Sequence, residues 1–193
     1  MAETALIAVT VTRYVYHACP PDMLGTTLYP LADLEVSNHE LYARELSKYG
    51  DHPARRRIPW AHVAKLGCAR RETLPFAPVH PRLIYRAWFA LGVTLPPTRW
   101  FGVPVGRFDK LPAVIYTPSG GHAGADLTDA EVSWFDAEAY RELAALPPET
   151  LHWYRKLHKS GKRGGWFARL PHVLVKGPVS VAGLETFGWS ASG

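Results

Sequence analysis

Cysteine is nearly absent from this chain of 193 residues: Cys19 and Cys68 are the only two. Two thiols cannot build a disulfide framework or a four-thiolate zinc site, and they suit a reducing compartment, so the expected location is cytoplasmic. No apolar run approaches the roughly 20 residues of a bilayer span, so no membrane segment is expected. Glu3 stands where a secretion signal needs a basic start. Phosphate-loop, G-x-G-x-x-G, H-E-x-x-H and G-x-S-x-G patterns are all missing, which removes the commonest nucleotide, zinc-protease and serine-hydrolase signatures. Internal repeats and linkers are missing too, and the length fits one domain over residues 1–193.

What the chain does have is apolar and aromatic content. Hydrophobic residues make up 47% and aromatics 12%, with seven Trp and nine Tyr, enough to bury a sizeable core and to exclude a disordered chain. The net charge of +5 is unevenly spread. Residues 52–71 hold six cations (Arg55, Arg56, Arg57, Lys65, Arg70, Arg71) and no acid. Residues 155–176 hold seven more, again with no acid, whereas residues 126–149 hold seven acids and only Arg141. If the two basic blocks share a face, that face attracts a polyanion, a nucleotide or a phosphorylated substrate. If they pair with the acidic segment instead, they only solvate the fold.

Local patterns predict a mixed α+β chain. Residues 5–12 are β-branched and apolar, and Tyr14-Val15-Tyr16-His17 continues the alternation, so strand is expected over about 5–17. Ser37-Asn38-His39-Glu40 has the S-x-x-E form of a helix start, with Gly50 as the stop. His80-Pro81-Arg82 opens a second helix, with Pro at its first turn and an apolar face of Leu83, Ile84, Ala87, Trp88 and Leu91. Residues 113–117 read as a buried strand. Thr128-Asp129-Ala130-Glu131 is a second capping box, and Asp136 is placed to cap a helix through Leu143. Pro147-Pro148 opens a last helix that ends near Gly161, and residues 171–176 and 179–181 read as a strand pair broken at Gly177-Pro178. Strands at both ends and helices in the middle predict a mainly antiparallel α+β fold in one compact unit.

Few residues advertise chemistry. His17, Cys19, His62 and Cys68 are the nearest approach to a metal grouping, but their spacing matches no zinc module, so no metal is expected. Cys68, between Lys65 and Arg70, is the better placed cysteine for a cation-stabilised thiolate. The glycine-rich stretches 119–124 and 161–165 read as turns. His17 stands out because it ends an apolar-aromatic strand, where a side chain can line a cleft.

An early strand ending aromatic-x-aromatic-His, followed by a polar link and the apolar stretch Leu24 to Leu34, resembles the opening of diphtheria-toxin-type ADP-ribosyltransferases. The resemblance implies NAD as substrate. It implies that His17, beside Tyr16, holds the adenosine-side ribose, that a tyrosine stacks on the nicotinamide, and that a late-strand glutamate orients the other ribose. Tyr85 in the segment 78–85 is the match for the tyrosine, with Tyr116 as the fallback. At the glutamate position the chain departs from the pattern: His172 lies near where an acid belongs, with Glu131 and Glu185 as substitutes, and Ala18 replaces the usual glycine. A histidine orients a hydroxyl without supplying the fixed negative charge that an oxocarbenium-like state calls for. The implied site is thus His17, Tyr16, Tyr85, Tyr116, Glu131 and His172.

A second reading needs no catalysis. Trp153-Tyr154-Arg155-Lys156 and residues 162–169 interleave cations with aromatics, a composition that neutralises phosphates and stacks bases. Under it, Arg55, Arg56, Arg57, Arg70, Arg71, Lys162 and Arg163 form the nucleic-acid-binding surface. A third reading makes the tryptophans core or interface anchors in a structural or partner-binding protein.

Overall fold

The computed structural model describes residues 13–119, 123–161, 166–167 and 169–190, so the strand expected over 5–12 lies outside the described residues. In chain order the first elements are β1 (Tyr14–Ala18), β2 (Thr27–Leu28), α1 (Leu31–Ser37), α2 (His39–Ser47), α3 (Pro53–Arg56), β3 (His62–Val63), β4 (Cys68–Ala69) and β5 (Thr73–Phe76). The second half adds α4 (Pro81–Phe89), β6 (Arg99–Pro104), β7 (Ala113–Tyr116), β8 (Val132–Trp134), α5 (Pro148–Lys159), β9 (His172–Lys176), β10 (Val179–Ser180) and β11 (Thr186–Gly188). Short 3₁₀ turns, among them one over Arg70–Glu72, punctuate the segment between α3 and β5.

The fold is α+β with antiparallel sheets, one ordered β1-β6-β11 and one ordered β5-β9-β7-β8. Tyr16 and Ala77 exchange two backbone hydrogen bonds of 2.9 and 2.8 Å, which joins β1 to the end of β5 and makes the two sheets continuous. Because successive side chains of a strand point to opposite faces, this junction sorts the residues of β1. Val15 and His17 face one side with Phe76, Val103, Val173 and Val175. Tyr16 faces the other.

That second face has two coverings. Over Tyr16 and Trp100 lie α4 and α5, through Ile84, Trp88, Tyr154 and Leu157, closed by Trp189. Over Val114, Leu174 and Val132 lies the segment carrying Ala61, Val63, Leu66 and Cys68. Helix α4 forms as its Pro start and apolar spacing predict, and the His80 side chain accepts from the Arg82 N–H to cap it. The hairpin α1–α2 is different. It contributes no side chain to any of the three hydrophobic clusters, and of its side chains only Tyr42 is buried. Ion pairs Arg44–Asp22 and Arg71–Glu35 tie it to its surroundings.

Several expectations are corrected. Asn38, not Ser37, caps α2, its Oδ1 accepting from the Leu41 N–H at 3.0 Å, because residues 31–37 already form a helix of their own. At Thr128–Glu131 the Thr128 N–H and hydroxyl both donate to the Glu131 carboxylate while the Glu131 N–H donates to the Thr128 carbonyl, so the segment closes a turn into β8 rather than opening a helix. Asp136 caps the Glu138 and Ala139 N–H groups and only one turn follows. Strands β9 and β10 do not pair with each other; β9 lies between β5 and β7, and β10 pairs with β2.

Candidate functional site

The sheet places Tyr116 and His172 directly opposite each other on β7 and β9. Their rings lie 6.1 Å apart at 29°, nearly parallel. His172 also packs on Phe167, 5.8 Å away. Phe167 belongs with the α4–α5 covering and Tyr116 with the other, so this pair of rings lies at the seam between the two coverings.

Arg70 comes to the same seam. Its backbone is pinned from three directions: its N–H donates to Ala61 O at 2.9 Å, its carbonyl accepts from Thr73 Oγ1 at 2.8 Å, and the preceding Ala69 N–H donates to Glu72 Oε1 at 2.9 Å. The guanidinium then lies over the Tyr116 ring, 5.3 Å from its centroid. No carboxylate among the described residues is within ion-pair distance of Arg70. Burial pushes its pKa down while the Tyr49 and Tyr116 phenols favour the charged form; a guanidinium stays protonated in either case.

The neighbourhood of Arg70 fixes the state of His172. Burial first and the Arg70 charge second push its pKa down to about 3. The ring is neutral at physiological pH, and its buried Nδ1 has no hydrogen-bond partner among the described residues. The site thus holds a cation without a carboxylate partner among the described residues, on an aromatic face and beside a neutral ring. Such a set attracts an anion attached to a flat group.

The other expected site residues are elsewhere. His17 packs on Phe76 at 5.3 Å, and its Nδ1 lies 2.7 Å from the Ala18 carbonyl. Burial pushes its pKa down, so the ring is neutral, with the proton on Nδ1 and an acceptor at Nε2. Tyr16 is not its companion, since the two residues point to opposite faces. The Tyr16 hydroxyl donates to Glu142 Oε2 at 2.8 Å while Glu142 Oε1 accepts the Tyr14 N–H at 2.8 Å. Burial and this carboxylate hold the phenol well above its ordinary pKa. Tyr85 sits on α4 against Phe89 and Trp189, in the cluster of the Tyr16 face, and is not beside His17. Glu131 is near Tyr116, but its carboxylate accepts from the N–H and hydroxyl groups of both Ser119 and Thr128. These bonds hold its pKa down and leave it a structural cap.

Several cations of the expected nucleic-acid surface are already engaged within the chain. Arg55 pairs with Asp51, Arg56 donates twice to the Gly50 carbonyl, and Arg71 pairs with Glu35 while lying over Trp60 at 4.3 Å. Lys65 is paired with Asp129, at 3.3 Å, out of the 126–149 segment. Arg57 has no acid partner among the described residues, and Lys162 and Arg163 lie outside them. The grouping His17, Cys19, His62 and Cys68 does not assemble, as no three metal-ligand side chains converge among the described residues. Burial pushes the Cys68 thiol up, which disfavours the reactive thiolate. No helix among the described residues is long and apolar enough to cross a membrane.

No family model, curated protein or solved structure matches the chain.

Trp153 and Arg169, which the sequence places in two separate aromatic-basic stretches, are brought together by the fold. The Arg169 guanidinium lies 5.5 Å from the Trp153 ring centroid, and Lys156 Nζ lies 5.6 Å from it. The signal was the cation-aromatic interleaving of residues 153–156, but nothing in the sequence brings Arg169 back onto α5.

Proposed function

We propose that the protein binds a nucleotide at the Arg70–Tyr116–His172 seam, with NAD as the ligand to test first. The observation that carries this reading is Arg70: a half-buried side chain, held by a pinned backbone with its guanidinium over an aromatic ring, with no carboxylate partner among the described residues. A charge withdrawn from water is retained at a cost unless something pairs with it, and the phosphate of a nucleotide supplies that partner. The transferase part of the reading rests on the Tyr14–His17 resemblance alone. In that chemistry the nicotinamide glycosidic bond breaks, nicotinamide leaves, and ADP-ribose passes to a nucleophile on a nucleic acid or protein acceptor. Both cysteines are free, which supports a cytoplasmic setting.

Calorimetric titration of NAD into wild type and Arg70→Met tests the binding part. Methionine keeps an apolar stem over Tyr116, so the variant folds, and affinity is expected to fall by about tenfold or more for the lost charge-assisted contact. Unchanged affinity removes the seam as the site. His17→Ala separates the two parts of the reading: if it abolishes NAD binding while Arg70→Met does not, the ligand sits at the β1 motif.

The outer face of α5 favours a second reading. Arg155, Lys156 and Lys159 are exposed there, and none has an acid partner among the described residues. As a non-catalytic nucleic-acid-binding module, the protein would hold an oligonucleotide whose affinity falls steeply between about 50 and 200 mM salt, through counterion release. Replacing Arg155 and Lys159 together by glutamine is expected to lower both affinity and salt slope. No oligonucleotide binding at the lower salt removes this reading.

A further inference from the structure

Arg169 carries the one positive φ, 62°, of any non-glycine residue among the described residues. A left-handed arginine persists only where its surroundings hold it, and such positions gather at ligand clamps and active sites. Here the holder is Thr150. That side chain is fully buried at the start of α5, and its hydroxyl donates to the Arg169 carbonyl at 2.7 Å. The consequence is a guanidinium turned back onto α5, where it meets Trp153 one helical turn further along.

Lys156 reaches the same indole. Two cations are thus gathered on one ring, and neither has a carboxylate within ion-pair distance among the described residues. The Trp153 ring therefore carries positive charge open to an anion. The Trp153 cluster also adjoins the seam, since Phe167, two residues before Arg169, packs on His172. The charge of Arg169 is close enough to Tyr116 to hold down the upward shift that burial gives that phenol.

We propose that Lys156 and Arg169 form a second phosphate subsite on Trp153, so that the ligand is a nucleotide carrying at least two phosphate groups. This rests on the nucleotide-binding reading above and narrows it. One phosphate held by Arg70 leaves Arg169 and Lys156 without a counterion; a second phosphate, one bond system further along the same ligand, supplies it. A nucleoside diphosphate, a dinucleotide joined by a pyrophosphate such as NAD, and a 5′-phosphorylated dinucleotide strand all share this chemistry.

The test is calorimetry on the full chain with AMP, ADP, NAD and a 5′-phosphorylated dinucleotide at one salt concentration. Wild type is expected to bind at least one of the last three about tenfold or more tightly than AMP, and the tightest of them names the source. The variant Lys156→Gln with Arg169→Gly is expected to bring that preference to about one while leaving AMP affinity within about twofold. Glycine accepts the left-handed backbone without strain, so the variant keeps the fold while losing both cations and the Arg169 contact with Trp153. Equal affinity of wild type for all four ligands, or a variant that keeps the preference, overturns the second subsite and leaves nucleotide binding standing. No binding of any of the four to wild type overturns both readings.

Discussion

Replacing Trp100 with alanine is expected to cost about 3–5 kcal/mol of stability, the range for removing a large aromatic side chain from a core. Trp100 is fully buried on β6, the strand flanked by β1 and β11, and its ring packs against Trp189 at 5.4 Å and Phe167 at 5.6 Å. A typical domain has only about 5–15 kcal/mol in total, so the alanine variant should unfold at a far lower urea concentration than wild type. The phenylalanine variant should behave differently. The Trp100 Nε1 is buried with no hydrogen-bond partner among the described residues, a desolvated donor that costs about 1–3 kcal/mol. Phenylalanine removes that cost along with part of the packing, so its net loss should stay below about 1.5 kcal/mol. Urea midpoints for the three proteins decide the matter. Equal losses for alanine and phenylalanine would mean that the indole N–H finds a partner.

Acidification is expected to produce the second large effect. In the unfolded chain His172 has an ordinary pKa near 6.5, whereas in the folded protein it lies at about 3. Between those values the unfolded state binds a proton that the folded state does not, so stability falls as pH falls and is fully retained above about 6.5. By pH 5 the loss from this one group should reach about 2 kcal/mol. Burial pushes the pKa of His17 and His80 in the same direction, so wild type should lose more than His172 alone accounts for. Stability measured at pH 7 and pH 5 for wild type and His172→Gln isolates the share of His172, because glutamine cannot titrate. A variant with the full acid sensitivity of wild type would show that His172 is hydrated and protonates freely. Since the ring stays neutral at pH 5, it adds no positive charge beside Arg70 over that range.

Which parts of this molecule could be read from its sequence follows from how local each signal is. Helices α4 and α5 were legible because a proline at the first turn and an apolar stripe specify them without help from elsewhere. Strands β7 and β9 were legible as short apolar runs. Strands β5 and β6 were not, because Pro75 and Pro104 lie in them and proline argues against a strand. Pro75 is tolerated because β5 pairs through its length only with β9, and meets β1 just beyond its end at Ala77. Helix α1 was missed because it starts at Pro30 with no side-chain cap and buries no side chain.

The site was legible only as a set of names. Arg70, Tyr116, His172 and Glu131 were all singled out, yet their grouping depends on the β7–β9 register and on the 3₁₀ turn at Arg70–Glu72, neither of which leaves a local trace. The alternation rule did hold a warning: adjacent residues of one strand cannot line one cleft, so Tyr16 and His17 could not act together. The fate of Arg71 was out of reach, because its partner Glu35 sits far from that block in the chain, whereas Arg55 pairs locally with Asp51, four residues before it.

The α1–α2 hairpin gives the protein two stabilities in one chain. The sheet and its coverings melt together because their side chains interdigitate in shared clusters. The hairpin, with no side chain in any of them, is held by its own helical hydrogen bonds, by Tyr42 and by two ion pairs. Of these Arg44–Asp22 is exposed, and such a pair contributes roughly 0–1 kcal/mol and weakens as salt rises. Its amides therefore exchange with solvent through an opening much smaller than global unfolding, and a protease can cut residues 31–49 while the rest of the molecule remains native.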